Sequence, residues 1–121
     1  MDSHRLGRRS EELACAYLIS RGGTILDRNY RAGHKEIDII ARFADTIAFV
    51  EVKARAGDEW GHPLDAITWA KRREIAHVAR AWLQANGCAS YEYRFDAIAI
   101  RWRGSSHVLE HVRDAWSIQR R

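Results

Sequence analysis

The stretch Lys35-Glu36-Ile37-Asp38-Ile39-Ile40-Ala41-Arg42-Phe43-Ala44-Asp45-Thr46-Ile47-Ala48-Phe49-Val50-Glu51-Val52-Lys53 decides the fold. Two runs rich in apolar and β-branched residues flank a short polar break, which predicts a β-hairpin. Strand side chains alternate between faces, so Glu36 and Asp38 share one face of the first strand. Phe49, Glu51 and Lys53 share one face of the second. A tight turn centred on Ala44-Asp45 sets Asp38 opposite Glu51 and Glu36 opposite Lys53; a turn one residue longer shifts that pairing. Opposed Cβ atoms lie roughly 5 Å apart, where two like charges destabilise a sheet unless something positive sits between them.

On the wet face of an amphipathic hairpin these residues would form an ordinary salt-bridged patch. However, Asp38 is flanked by Ile37, Ile39, Ile40 and Ala41, and Glu51 by Phe49, Val50 and Val52. Both runs therefore read as buried on both faces. A charge there is costly unless it is paired or bound to a cation, and such a charge points to function. Carboxylate oxygens are the natural ligands of hard divalent cations such as Mg2+.

The chain has 121 residues, 46% of them hydrophobic, which fits one domain over 1–121 with a single core. A net charge of +4, with 20 Lys and Arg spread along the chain, is compatible with a nucleic-acid partner but weak evidence alone. Cys15 and Cys88 lie in segments that read as helical, without partners at zinc-ligand spacing; they are expected to be reduced thiols of a cytoplasmic protein. No apolar run approaches the ~20 residues that span a bilayer, so no membrane partner is expected. The charged amphipathic start does not read as a secretory signal.

Outward from the hairpin, residues 3–19 read as a helix stopped by Gly22-Gly23, with Leu6, Leu13, Ala14, Tyr17 and Leu18 on its inner stripe. Glu11 falls at the edge of that stripe and Glu12 on the opposite side. Thr24 to Arg31 reads as a strand, followed by a loop at Ala32-Gly33-His34. Residues 55–61 read as a polar loop and 63–67 as a short helical turn. Thr68 reads as the N-cap of a second helix ending near Asn86-Gly87, with Ile75, Val78, Ala79, Trp82 and Leu83 as its core stripe. Lys71, four residues before Ile75, faces inward, while Arg72, Arg73, His77 and Arg80 are more outward. Two strands follow, over 93–102 and 107–112. The order helix, strand, hairpin, helix, strand, strand predicts an α/β fold, a mixed central β-sheet flanked by α-helices, in which the strands before and after the crossover helix run parallel.

Asp38, Glu51 and Lys53, with Glu11 from the first helix and Glu36 and Lys71 as possible accessory groups, make a minimal phosphodiesterase. An acidic pair holds the cation, and a lysine sits beside it. Arg31, Lys35, Arg55 and Arg72 are the candidate contacts to nucleic-acid phosphates, although a solvated surface explains such residues equally well. No Gly-rich phosphate loop, Ser or Cys elbow, or dinucleotide fingerprint is present.

Asp38 followed by Glu51-Val52-Lys53, after a helix carrying Glu11, resembles the PD-(D/E)XK signature of restriction-endonuclease-like nucleases, particularly archaeal-type Holliday-junction resolvases. The wider text is similar to the bacterial YraN family. It comprises Gly7-x-x-Ser10-Glu11-x-x-Ala14-x-x-Tyr17-Leu18, Arg28-Asn29-Tyr30-Arg31, Glu36-Ile37-Asp38-Ile39-Ile40-Ala41, Phe49-Val50-Glu51-Val52-Lys53-Ala54-Arg55, Lys71 and Arg94-Phe95-Asp96. The resemblance implies a restriction-endonuclease-like fold in which Asp38 and Glu51 bind Mg2+ or Mn2+, Lys53 is the catalytic lysine, and Glu11 assists. It implies an endonuclease acting on DNA, branched or structured forms included, by water attack that leaves a 5′-phosphate. Junction-resolving relatives work as dimers, so a homodimer is the implied assembly. Lys35 and Ser10 depart from the family pattern, which usually has glycine at both places. The alternatives are a non-catalytic nucleic-acid-binding module serving repair, recombination or DNA uptake, and a protein-interaction domain presenting some of Trp60, Trp69, Trp82, Trp102 and Trp116.

Overall fold

The computed structural model describes residues 3–57 and 61–117. Helix α1 (Ser3–Ser20) leads into a meander of β1 (Thr24–Ala32), β2 (Lys35–Phe43) and β3 (Thr46–Ala56). A 3-10 turn (Pro63–Ala66) and helix α2 (Trp69–Ala85) cross over to β4 (Glu92–Arg103), and β5 (Ser106–Trp116) is the last element among the described residues. The five strands lie in sequence order in one sheet. All neighbours are antiparallel except β3 and β4, which run parallel from Thr46↔Glu92 to Ala56↔Trp102. A parallel pair needs a long crossover, which α2 supplies. The fold is thus the expected mixed α/β sheet flanked by helices.

The central strands are apolar on both faces because each face carries a helix. Ala14 and Leu18 of α1 pack with Ile39, Ala41, Val50, Ile98 and Trp102 on one side. Ile75, Val78, Trp82 and Leu83 of α2 pack with Ile40, Ile47, Phe49 and Phe95 on the other. The β2–β3 ladder runs from Phe43↔Thr46 to Ile39↔Val50, the register expected from a turn at Ala44-Asp45. Thr68 caps α2 by accepting the Lys71 N–H at 3.1 Å. Gly23, just past α1, lies close under the Phe43 ring: a Cβ there would come within 2.7 Å of it and 3.0 Å of the Leu18 carbonyl, so a larger residue requires the ring to shift.

Four boundaries differ from expectation. Strand β3 continues through Arg55 and Ala56 because β4 pairs with both; residues 58–60 of the expected loop, Trp60 included, lie outside the described residues. Ala32 belongs to β1, paired with Lys35, which leaves a tight turn at Gly33-His34. Cys88 sits in the turn after α2 rather than in it. Strand β5 runs on to Trp116, whose ring stacks on Phe95 at 5.5 Å. Trp82, Trp102 and Trp116 are core, and Trp69 is 62% exposed. Among the described residues no helix is long and apolar enough to cross a membrane.

Candidate functional site

Backbone pairing between β2 and β3 stops at Ile39↔Val50, and at the next step a side chain takes over. The Asp38 Oδ2 accepts the Val52 N–H at 2.8 Å, which pins its carboxyl against β3 beside Glu51. The two carboxyls act on each other's protonation. Glu51 is only 3% exposed. Burial, then the Asp38 charge, pushes the Glu51 carboxyl up to about 8, against the opposing pull of Lys71 and Lys53. Asp38 is also raised, because burial outweighs its bond from Val52 and its contacts with Glu51 and Lys53.

Both lysines approach the same Glu51 oxygen. Lys53 Nζ lies 3.8 Å and Lys71 Nζ 3.6 Å from Oε2. The other oxygen, Oε1, is buried and has no hydrogen-bond partner. Leaving such an atom unsatisfied costs about 1–3 kcal/mol, more when it is charged. An orphaned carboxylate oxygen beside a second carboxyl fits a hard divalent cation. Mg2+ in particular is commonly held by one or two carboxylates, with water and substrate phosphate completing the shell. Among the described residues no group of three or more His, Cys, Asp and Glu side chains converges as a metal cage. The acidic pair alone could offer two carboxyl donors to a cation, a set that does not suit structural zinc.

Glu11 reaches the site from α1. It is half-buried; burial, then the Asp38 charge, raises it above the ordinary carboxylate range, against the opposing pull of Asn29 and Arg28. Glu36 bears electrostatically on both Glu11 and Asp38. Its expected opposition to Lys53 is not realised, because the ladder has ended: Glu36 pairs with Arg31 of β1 at 3.9 Å, and Lys53 turns to Glu51. A groove of about 280 Å³ between α1 and the end of β3 brings Gly7, Glu11, Lys53 and Arg55 to one opening.

The other candidate cations are dispersed. Arg31 and Lys35 are exposed on the β1–β2 hairpin, and Arg55 Nη1 donates to the Ala54 carbonyl at 2.9 Å. Arg72 is not simply outward. Its Nε donates to the Ile67 carbonyl, and its guanidinium lies over the rings of Trp69 and Trp116 at 5.2 and 5.6 Å.

Residues 10–100 match the uncharacterised protein family UPF0102. The chain belongs to this family. A UPF0102 protein of Chlorobium chlorochromatii is 46% identical over 120 residues, covering 94% of this chain and 92% of the relative. Those of Rhodococcus jostii and Nitratidesulfovibrio vulgaris are 43% and 42% identical, covering 92% and 95% of this chain and 95% and 86% of theirs. The resemblance to YraN is thereby borne out at the level of the family.

Three features of this UPF0102 chain escaped the sequence reading. Asn29, which favours the charged form of Glu11, adopts a positive φ of 52° inside β1, and the signal was an asparagine, a residue that tolerates this conformation, in mid-strand. Ser10 is wholly buried and accepts the Trp102 indole N–H at 2.9 Å, a role that glycine cannot fill. Asp96 is a third acid inside an apolar run, the same signal that exposed Asp38 and Glu51. It accepts hydrogen bonds from Arg94, His111 and the Asp114 N–H. Burial alone would raise it, but these bonds hold its carboxyl below the usual range.

Proposed function

We propose that the protein is a divalent-metal-dependent nuclease acting on DNA, branched or structured forms included, and a member of the restriction-endonuclease-like PD-(D/E)XK superfamily. The observation that carries this reading is the buried Asp38–Glu51 pair, with one carboxylate oxygen left open and Lys53 and Lys71 on the other. Asp38 and Glu51 would hold Mg2+ or Mn2+. When bound, the cation lowers the pKa of a coordinated water and offsets phosphate charge in the transition state.

The chain's own groups supply the rest. The Val52 N–H fixes the orientation of Asp38, so its carboxyl needs no rearrangement on loading. Lys53, held beside Glu51, orients the attacking water and stabilises the negative charge that develops on the phosphate. Lys71 balances Glu51 from the first turn of α2, so that Lys53 is not committed to charge neutralisation alone. Glu11, with its raised proton affinity and its place on the groove beside Lys53, suits proton transfer from water. Arg55 at the same opening serves as a backbone contact.

The test is cleavage of linear, single-stranded, flap and four-way DNA with Mg2+ or Mn2+, compared with Glu51→Ala and Lys53→Ala proteins. Cleavage by the native chain and a loss of at least 100-fold in both variants are expected. Cleavage that survives both changes defeats the enzyme reading. Binding that falls steeply with salt, without cutting, would replace it with a binding module.

A further inference from the structure

We propose that a cleft at the C-terminal end of α1 binds an oxyanion of the phosphate class. It is lined by Tyr17 and Arg21 of α1, Phe43 at the end of β2, Arg94 of β4, and His111 and Arg113 of β5, around a space of about 120 Å³. That is well below the roughly 300–1,000 Å³ of sites for whole small molecules, so it admits a compact group rather than a nucleoside. About ten helical residues separate Arg21 from Glu11, or about 15 Å at 1.5 Å per residue. The cleft is distinct from the acidic pair, and the inference does not rest on the nuclease reading.

The lining is built rather than incidental. Asp96, with no exposed surface, accepts from Arg94 Nε at 2.9 Å, from His111 Nε2 at 2.8 Å and from the Asp114 N–H at 3.0 Å. Its charge is thereby used to fix Arg94 and His111. Gripping Arg94 by Nε leaves both terminal nitrogens for a ligand, and the guanidinium is further held over the Phe43 ring at 5.2 Å. His111 Nδ1 meets the Tyr17 hydroxyl at 3.2 Å, with the two rings edge to face. A continuous chain of side chains from β4 through β5 to α1 thus shapes one wall.

Arg21 and Arg113 complete the opening. Both are exposed, and among the described residues neither guanidinium takes part in a hydrogen bond or ion pair. Three guanidinium groups therefore surround one small space whose buried carboxylate is already saturated by three donors. Arginine forks match the planar faces of a phosphate with paired, charge-assisted hydrogen bonds, and an oxyanion there relieves the mutual repulsion. A free phosphate, a terminal phosphomonoester and a backbone phosphodiester share this chemistry.

The experiment is titration of the full chain with inorganic phosphate in the presence of EDTA, followed by calorimetry and by the NMR signal of the Arg94 Nε–H. Saturable binding of one phosphate per chain with a shift of the Arg94 signal is expected. It should be weakened at least tenfold in Arg21→Ala/Arg113→Ala protein of unchanged melting temperature, and unchanged in Glu51→Ala. Competition by one oligonucleotide with and without a 5′-phosphate identifies the source: displacement by the phosphorylated form alone marks a terminal phosphate, and equal displacement marks the backbone. No displacement by either, with inorganic phosphate still bound, marks the free ion; all three support the cleft. Absence of saturable binding, full binding in the double variant, or loss in Glu51→Ala overturns it. Failure of the nuclease reading leaves this result untouched.

Discussion

At the scale of single residues, Glu51 is held in a state that its surroundings oppose. Its folded-state pKa of about 8 stands well above the 4.5 of an unperturbed glutamate, first because it is buried and then because Asp38 is beside it. A carboxyl raised in this way keeps its proton in the folded chain where the unfolded chain has lost it. Its contribution is therefore fully present below pH 4.5 and is lost as the pH rises toward 8. Asp38, also raised, acts in the same sense. Thermal unfolding in EDTA should show the native chain losing stability across this window, and Glu51→Gln, which cannot ionise, losing distinctly less. Millimolar Mg2+ at pH 8 should restore stability to the native chain and not to the variant. Parallel pH profiles for the two proteins would show that Glu51 does not titrate as the geometry implies. Ser10 is the opposite case, a polar residue whose burial is fully compensated by the Trp102 indole.

At the scale of elements, the site depends on ends: the end of the β2–β3 ladder and the start of α2. Thr68 fixes the first turn of α2 by accepting the Lys71 N–H, and that turn aims Lys71 at Glu51. Thr68→Ala should cost about 1 kcal/mol in urea unfolding, and Thr68→Ser should recover most of it. Equal stability of the alanine and native proteins would mean that the cap is not what holds the turn. What could be read from sequence divides along the same line. The hairpin register was legible because apolar alternation and a short polar break determine it together. Lys71 was legible from its four-residue spacing to Ile75. The extension of β3 through Ala56 was not, because its cause is Trp102, a partner distant in sequence. Arg72 was misread as outward for a related reason: helical spacing is blind to Trp116 arriving from β5. The bond from Val52 to Asp38 leaves no trace in any pattern, since it replaces a backbone pair with a side chain.

At the scale of the whole molecule, a sheet covered on both faces gives buried charges few places to sit, and this chain concentrates them. Near the start of α1 and the middle of β3, four acids bear on one another and two lysines answer them. Toward the end of α1, one saturated aspartate fixes Arg94 and His111 in a cleft that Arg21 and Arg113 also line. The family match over residues 10–100 takes in the first region and Tyr17, Arg21, Phe43, Arg94 and Asp96 of the second, while His111 and Arg113 lie beyond it. The central claim concerns the first region: the carboxyls of Asp38 and Glu51 form one cation site. Its most direct test is Mn2+ binding at pH 8, followed by the loss of the free-ion electron paramagnetic resonance signal. One ion per chain should bind to the native protein and to Lys53→Ala, with affinity at least tenfold weaker in both Asp38→Asn and Glu51→Gln. Mn2+ that binds equally well to both acid variants, or that never saturates the native chain, would contradict it.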